Sequence, residues 1–109
     1  MNSETFDRVL EDAHTRQKKV LHTKAGEYSR DKDRLLNFKT AGSFQRCTPE
    51  RALWGMASKH FVSLTDLIND LESGVDHPMT LWEEKIGDAE NYLLLLEGLL
   101  KERYPRGLK

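Results

Sequence analysis

The stretch from Thr48 to Gly74 limits what this chain can become more than any other. Thr48-Pro49-Glu50 spells a helix start. The hydroxyl suits the N-cap, the proline lacks only an N–H that is unpaired there anyway, and the acid complements the positive end of the helix dipole. Leu53, Met56, Ala57, His60, Phe61, Leu64, Leu67, Ile68 and Leu71 then follow a 3.6-residue period until Ser73-Gly74 stops it. No strand keeps that period, so this is a long helix with one apolar face.

Two other segments share the pattern. Ser3 is the expected N-cap of a first helix running to about Lys24, with Phe6, Val9, Leu10, Ala13, Val20 and Leu21 on its apolar side and Gly26 as its stop. Arg16 and Gln17 interrupt that side, so its middle is expected to face a polar cleft. Thr80-Leu81-Trp82-Glu83 fits a capping box and opens a last helix that runs to about Arg103. Asp33 is placed to cap a short helix from Arg34 to about Ala41. No segment alternates with period two. The expected fold is all-α, a single-domain bundle of three long helices and one short one.

With 109 residues and a net charge of −1, the chain has one core and no broad positive footprint for duplex nucleic acid. A lone Cys47 cannot form an internal disulfide, no secretory leader is recognisable, and the longest apolar run, Tyr92 to Leu96, is too short for a bilayer. A cytoplasmic protein without a membrane partner is expected.

Leu93, Leu94, Leu95 and Leu96 stand about 100° apart on the last helix and so ring its whole circumference. Either this is the central helix of one bundle, or one stripe packs within the subunit and another against a second copy. The second reading predicts a homo-oligomer.

Two segments carry residue types suited to a phosphate and a metal. In Lys24–Phe38 (KAGEYSRDKDRLLNF), Arg30, Lys32 and Arg34 suit phosphate oxygens, and Tyr28 and Phe38 suit a base. Glu27 and Asp33 suit a metal, and Asn37 a polar edge. The other reading is a charged surface loop with Tyr28 and Phe38 tucked into the core. On the last helix, Glu84, Asp88 and Asn91 fall at i, i+4 and i+7 on one face. Two carboxylates one turn apart suit Mg²⁺, and Asn91 adds an amide; the alternative is a solvated helix face. Lys59, Ser63, Asp66 and Asp70 share a face of the middle helix, with Lys59 a candidate phosphate contact or simply exposed. His60 borders the apolar stripe, as a satisfied core histidine or as a base- or phosphate-contacting group. There is no zinc-ligand spacing, nucleophile elbow or glycine-rich phosphate loop.

EYSRDKDRLLNF and WEEKIGDAENYLLLL, linked by TPERALWGMASKHFVSLTDLI, resemble a family of small phage and prophage proteins over roughly Val20 to Leu100. More distantly the layout is similar to the all-α MazG-like nucleoside triphosphate pyrophosphatases, in which an ExxE and an ExxD motif hold Mg²⁺ against a nucleotide. That resemblance implies a nucleotide ligand, a Mg²⁺ cofactor, frequent oligomers and, for a phage protein, the host cytoplasm. The chain departs from the pattern twice. Lys85 stands where ExxD has its first acid, leaving Asp88 with Glu84 one position away, and Met56 to His60 holds no ExxE. Metal-dependent hydrolysis at Glu84 and Asp88, metal-free sequestration of a signalling nucleotide, and a module docking through its leucine-rich last helix are the three functions to separate.

Overall fold

In the computed structural model, residues 1–28 and 33–107 are described, with the side chains of 24–28 left aside. The described residues form helices and turns without a strand: α1 (Ser3–Tyr28), α2 (Leu36–Gln45), α3 (Pro49–Glu72) and α4 (Met79–Arg103). No helix is long and apolar enough to cross a membrane.

The α3 start follows its local code. Thr48 Oγ1 accepts from the Arg51 backbone N–H at 3.1 Å, with Pro49 in the first turn. Four other boundaries differ from expectation. Asn2, not Ser3, caps α1, its Oδ1 accepting from the Thr5 N–H at 2.8 Å. Gly26 does not stop α1, which runs on to Tyr28; glycine weakens a helix by about 1 kcal/mol but does not forbid it. The capping box at Thr80 does not form. Pro78 occupies the N-cap of α4 in an extended conformation, so the helix begins one residue before Thr80. Asp33 does receive a backbone N–H, that of Leu35 at 3.0 Å, but the N-cap of α2 is Leu35 itself.

The core lies where α2, α3 and α4 meet. Phe38, Leu53 and Leu99 are its buried centre, and Leu35, Met56, Tyr92, Leu95 and Leu96 pack around them. Leu53 has no exposed surface at all. α3 and α4 run antiparallel: Arg103 at the end of α4 forks onto Glu50 at the start of α3, both N–H···O distances being 2.7 Å. α2 meets α3 at a corner tight enough that a Cβ on Gly42 would stand 2.9 Å from the Cys47 carbonyl oxygen and 3.0 Å from Pro49 N. Arg46 turns that corner with φ 57°. Lys39 joins both ends of the assembly, donating to Asp33 at 2.7 Å and to Glu102.

α1 is attached differently. It packs on α4, and among the residues whose side chains are described, its half-buried ones beyond Thr5 lie between Ala13 and Leu21. Phe6, Val9 and Leu10 are about half exposed. The radius of gyration is 16.4 Å, against about 13 Å for a compact chain of this length. The four-leucine run divides between core and surface: Leu95 and Leu96 are half-buried, while Leu93 and Leu94 are 47% and 43% exposed.

Candidate functional site

α1, the start of α2 and the middle of α4 border a small, partly open cleft of about 60 Å³. Leu21 lines it from α1; Arg34, Asn37 and Phe38 from α2 and its approach; Asp88, Asn91, Tyr92 and Leu95 from α4. The helical repeat accounts for the α4 wall, since positions 88, 91, 92 and 95 are spaced by three and four residues and share a face.

Arg34 is exposed at the mouth and fastened on one side, Nη2 donating to the Leu21 carbonyl oxygen at 2.8 Å. That bond ties α2's approach to α1 and leaves the rest of the five-donor guanidinium fork for another acceptor. Asn37 is exposed beside it. The floor is aromatic. Phe38 meets Tyr92 edge-on with ring centroids 6.3 Å apart, and Tyr92 lies against His60 at 5.0 Å. His60 Nδ1 sits 3.6 Å from Asp88 Oδ2, so α3 braces the carboxylate from behind.

Asn91 is the anomaly. Only 7% exposed, it is the one buried polar residue among those described, and its Oδ1 has no hydrogen-bond partner. Native chains pair nearly all such atoms, and one left alone costs roughly 1–3 kcal/mol. Its place in the wall of the cleft makes Asn91 a candidate binding residue.

Asp88 and Asn91 also face a second groove, between α1 and α4, that Arg16, Gln17 and Glu84 line. Among the described residues one ion pair and one hydrogen bond cross it. Arg16 pairs with Glu83 at 3.3 Å, and Gln17 donates to Glu90. The polar middle of α1 therefore faces α4, as Arg16 and Gln17 foretold.

The residues singled out from the sequence sort as follows. Arg34, Asn37, Phe38, Asp88 and Asn91 converge on one cleft, with His60 directly behind it. Glu84 is exposed in the adjoining groove. Lys59 is exposed on α3, away from the residues lining the cleft. Asp33 is turned to Lys39, whose ammonium holds its carboxyl below the ordinary carboxylate range. Arg30, Lys32 and the side chains of Glu27 and Tyr28 lie outside the described residues. Sequence reasoning did not single out Leu21, Tyr92 or Leu95 as walls. Tyr92 carried a signal, a polar-tipped ring wedged between Asn91 and the leucines.

Of the candidate Mg²⁺ ligands, Glu27 has its side chain outside the described residues, Asp33 is turned to Lys39, and Glu84 and Asp88 share a groove. Among the described residues no group of three or more His, Cys, Asp or Glu able to hold a metal occurs. No family model, curated protein or solved structure matches this chain.

Proposed function

We propose that this chain binds a nucleotide or a nucleotide-derived phosphate compound in the α1–α2–α4 cleft and holds it without cleaving it. One observation carries the reading: a buried amide with a partnerless oxygen lines the same cleft as a cation, a second amide and a carboxylate. Arg34 at the mouth takes phosphate oxygens through its remaining fork. Asn37 reaches sugar or phosphate oxygens beside it. Deeper in, the base lies over the floor that Tyr92 and the edge of Phe38 make, while Asn91 and Asp88 bond its polar edge. A carboxylate accepts only, so the ligand's inner edge presents an N–H donor to Asp88.

Holding rather than hydrolysis is favoured because the acids are dispersed: Asp33 is committed to Lys39, and Glu84 opens to the neighbouring groove. The test is calorimetry with nucleoside mono-, di- and triphosphates and cyclic or linked dinucleotides, in EDTA and in Mg²⁺, followed by chromatography of the recovered ligand. Binding in EDTA, an intact ligand and loss of binding in Arg34→Ala and Asn91→Leu are expected. No binding by any compound overturns the reading. Cleavage that appears only with Mg²⁺ replaces it with the hydrolytic one.

A further inference from the structure

A helix on the surface of a monomer normally turns a charged face to water. The outer face of α3 carries its charges to one side. Between Arg51 and Glu72 one line of exposed positions, Gly55, Ser58, Val62, Thr65 and Asn69, advances in steps of three and four residues and holds no charge. Val62 is 59% exposed. Along one flank of this strip run Trp54 and Ile68, 45% and 46% exposed, with Phe61 between them against Trp54 at 5.7 Å. Along the other flank stand Lys59 and Asp66, both exposed. A Cβ on Gly55 would meet nothing within 4 Å. Alanine would therefore fit there and favour the helix, so nothing inside the subunit calls for glycine.

We infer that this face is the seam of a symmetric homodimer in which two copies of α3 cross antiparallel about Val62. The strip is complementary to itself when reversed. Val62 meets Val62 of the second copy on the two-fold axis. Ser58 then faces Thr65 of the other copy, and Gly55 faces Asn69, a residue without a side chain opposite a larger one. The ends close with opposite charges, Arg51 opposite Glu72. In an antiparallel helix pair each flank meets the same flank of its mate. Lys59 therefore meets Asp66 of the second copy, while on the other side Trp54 meets Ile68, and Phe61 meets Phe61. Each match occurs twice by symmetry, as an isologous interface requires. Within the chain none of Arg51, Lys59, Asp66 and Glu72 forms an ion pair among the described residues. An uncharged, aromatic-flanked centre with charges at its margin is the composition of a protein interface. The chain is thus its own best partner, and the contact between copies lies on α3 rather than on the leucines of α4.

Sedimentation and light scattering on the full chain test this at micromolar concentration. The wild type is expected to be a dimer, and Val62→Asp a monomer of unchanged helicity by circular dichroism. Lys59→Glu alone sets two like-charged pairs across the seam and should raise the dimer Kd roughly tenfold. Adding Asp66→Lys in the same chain restores opposite charges, and the Kd should return. Restoration by the double swap is independent of whether Val62→Asp folds. A wild type that stays monomeric overturns the inference. So does a dimer that survives Val62→Asp but is lost on Leu93→Asp, or a double swap no tighter than the single one.

Discussion

Replacing Asn91 by leucine should make the ligand-free protein more stable while destroying its binding. The side chain is 93% removed from water, the complement of its 7% exposure, and its Oδ1 lacks a partner. Removing an unpaired buried acceptor recovers roughly 1–3 kcal/mol. Leucine also adds apolar contact with Leu21 and Leu95, which share the cleft wall. Against this stands the crowding that a branched side chain brings into a packed wall, about 1 kcal/mol or more. The net is a gain of about 1–2 kcal/mol, which for a domain of this size raises Tm by roughly 4–10 °C. In urea the midpoint should rise by roughly 0.5–1 M at unchanged m, because the surface exposed on unfolding hardly changes. Asn91→Ala should gain less, since it leaves a void. The result that would refute the reasoning is a leucine variant that unfolds earlier than the wild type. Its amide oxygen would then be satisfied in solution, and Asn91 would be a structural residue rather than a binding one.

Two other outcomes follow from the frame. Gly42→Ala should destabilise by at least ~2 kcal/mol, because the new Cβ meets backbone atoms of Cys47, Thr48 and Pro49 between 2.9 and 3.1 Å and no flexible side chain can yield; thermal unfolding measures it. Stability should also fall in acid. Lys39 lowers the pKa of Asp33, and Arg103 lowers that of Glu50. A depressed folded-state pKa contributes stability that is complete above the ordinary carboxylate pKa and disappears as pH drops through the depressed value. Lys39 and Arg103 are raised, so their share is complete at neutral pH and fades only in strong alkali. Urea midpoints taken from neutral pH down through the carboxylate range should decline, and Lys39→Met should flatten part of that decline. A midpoint indifferent to acid would mean that the two pairs add nothing to the fold.

What was legible in the sequence was local. Thr48, Pro49 and Glu50 act within one turn, so the start of α3 was readable to the residue. The same logic failed where neighbours outvote propensity. Gly26 stays inside α1, and Thr80 loses the capping role to a chain that Pro78 has already turned. The cleft was half visible. Residue types at helical spacing brought Asp88 and Asn91 to one face, and Arg34, Asn37 and Phe38 arrived opposite them. The direction of Asp33 was not visible, because it depends on Lys39 and on Glu102 at the far end of the chain. The His60–Asp88 contact was hidden likewise, being fixed by how α3 lies across α4.

The asymmetric attachment of α1 has a mechanical consequence. Gly42 and Arg46 pin α2 to α3, and Glu50 with Arg103 clasps α3 to α4. Among the described side chains, α1 is tied across by Arg16, Gln17 and, through its carbonyl, Leu21. On the proposed reading of the cleft, a ligand that draws Arg34 toward itself also strains the bond that holds the approach of α2 to α1, so occupancy and the seating of α1 are coupled through one guanidinium.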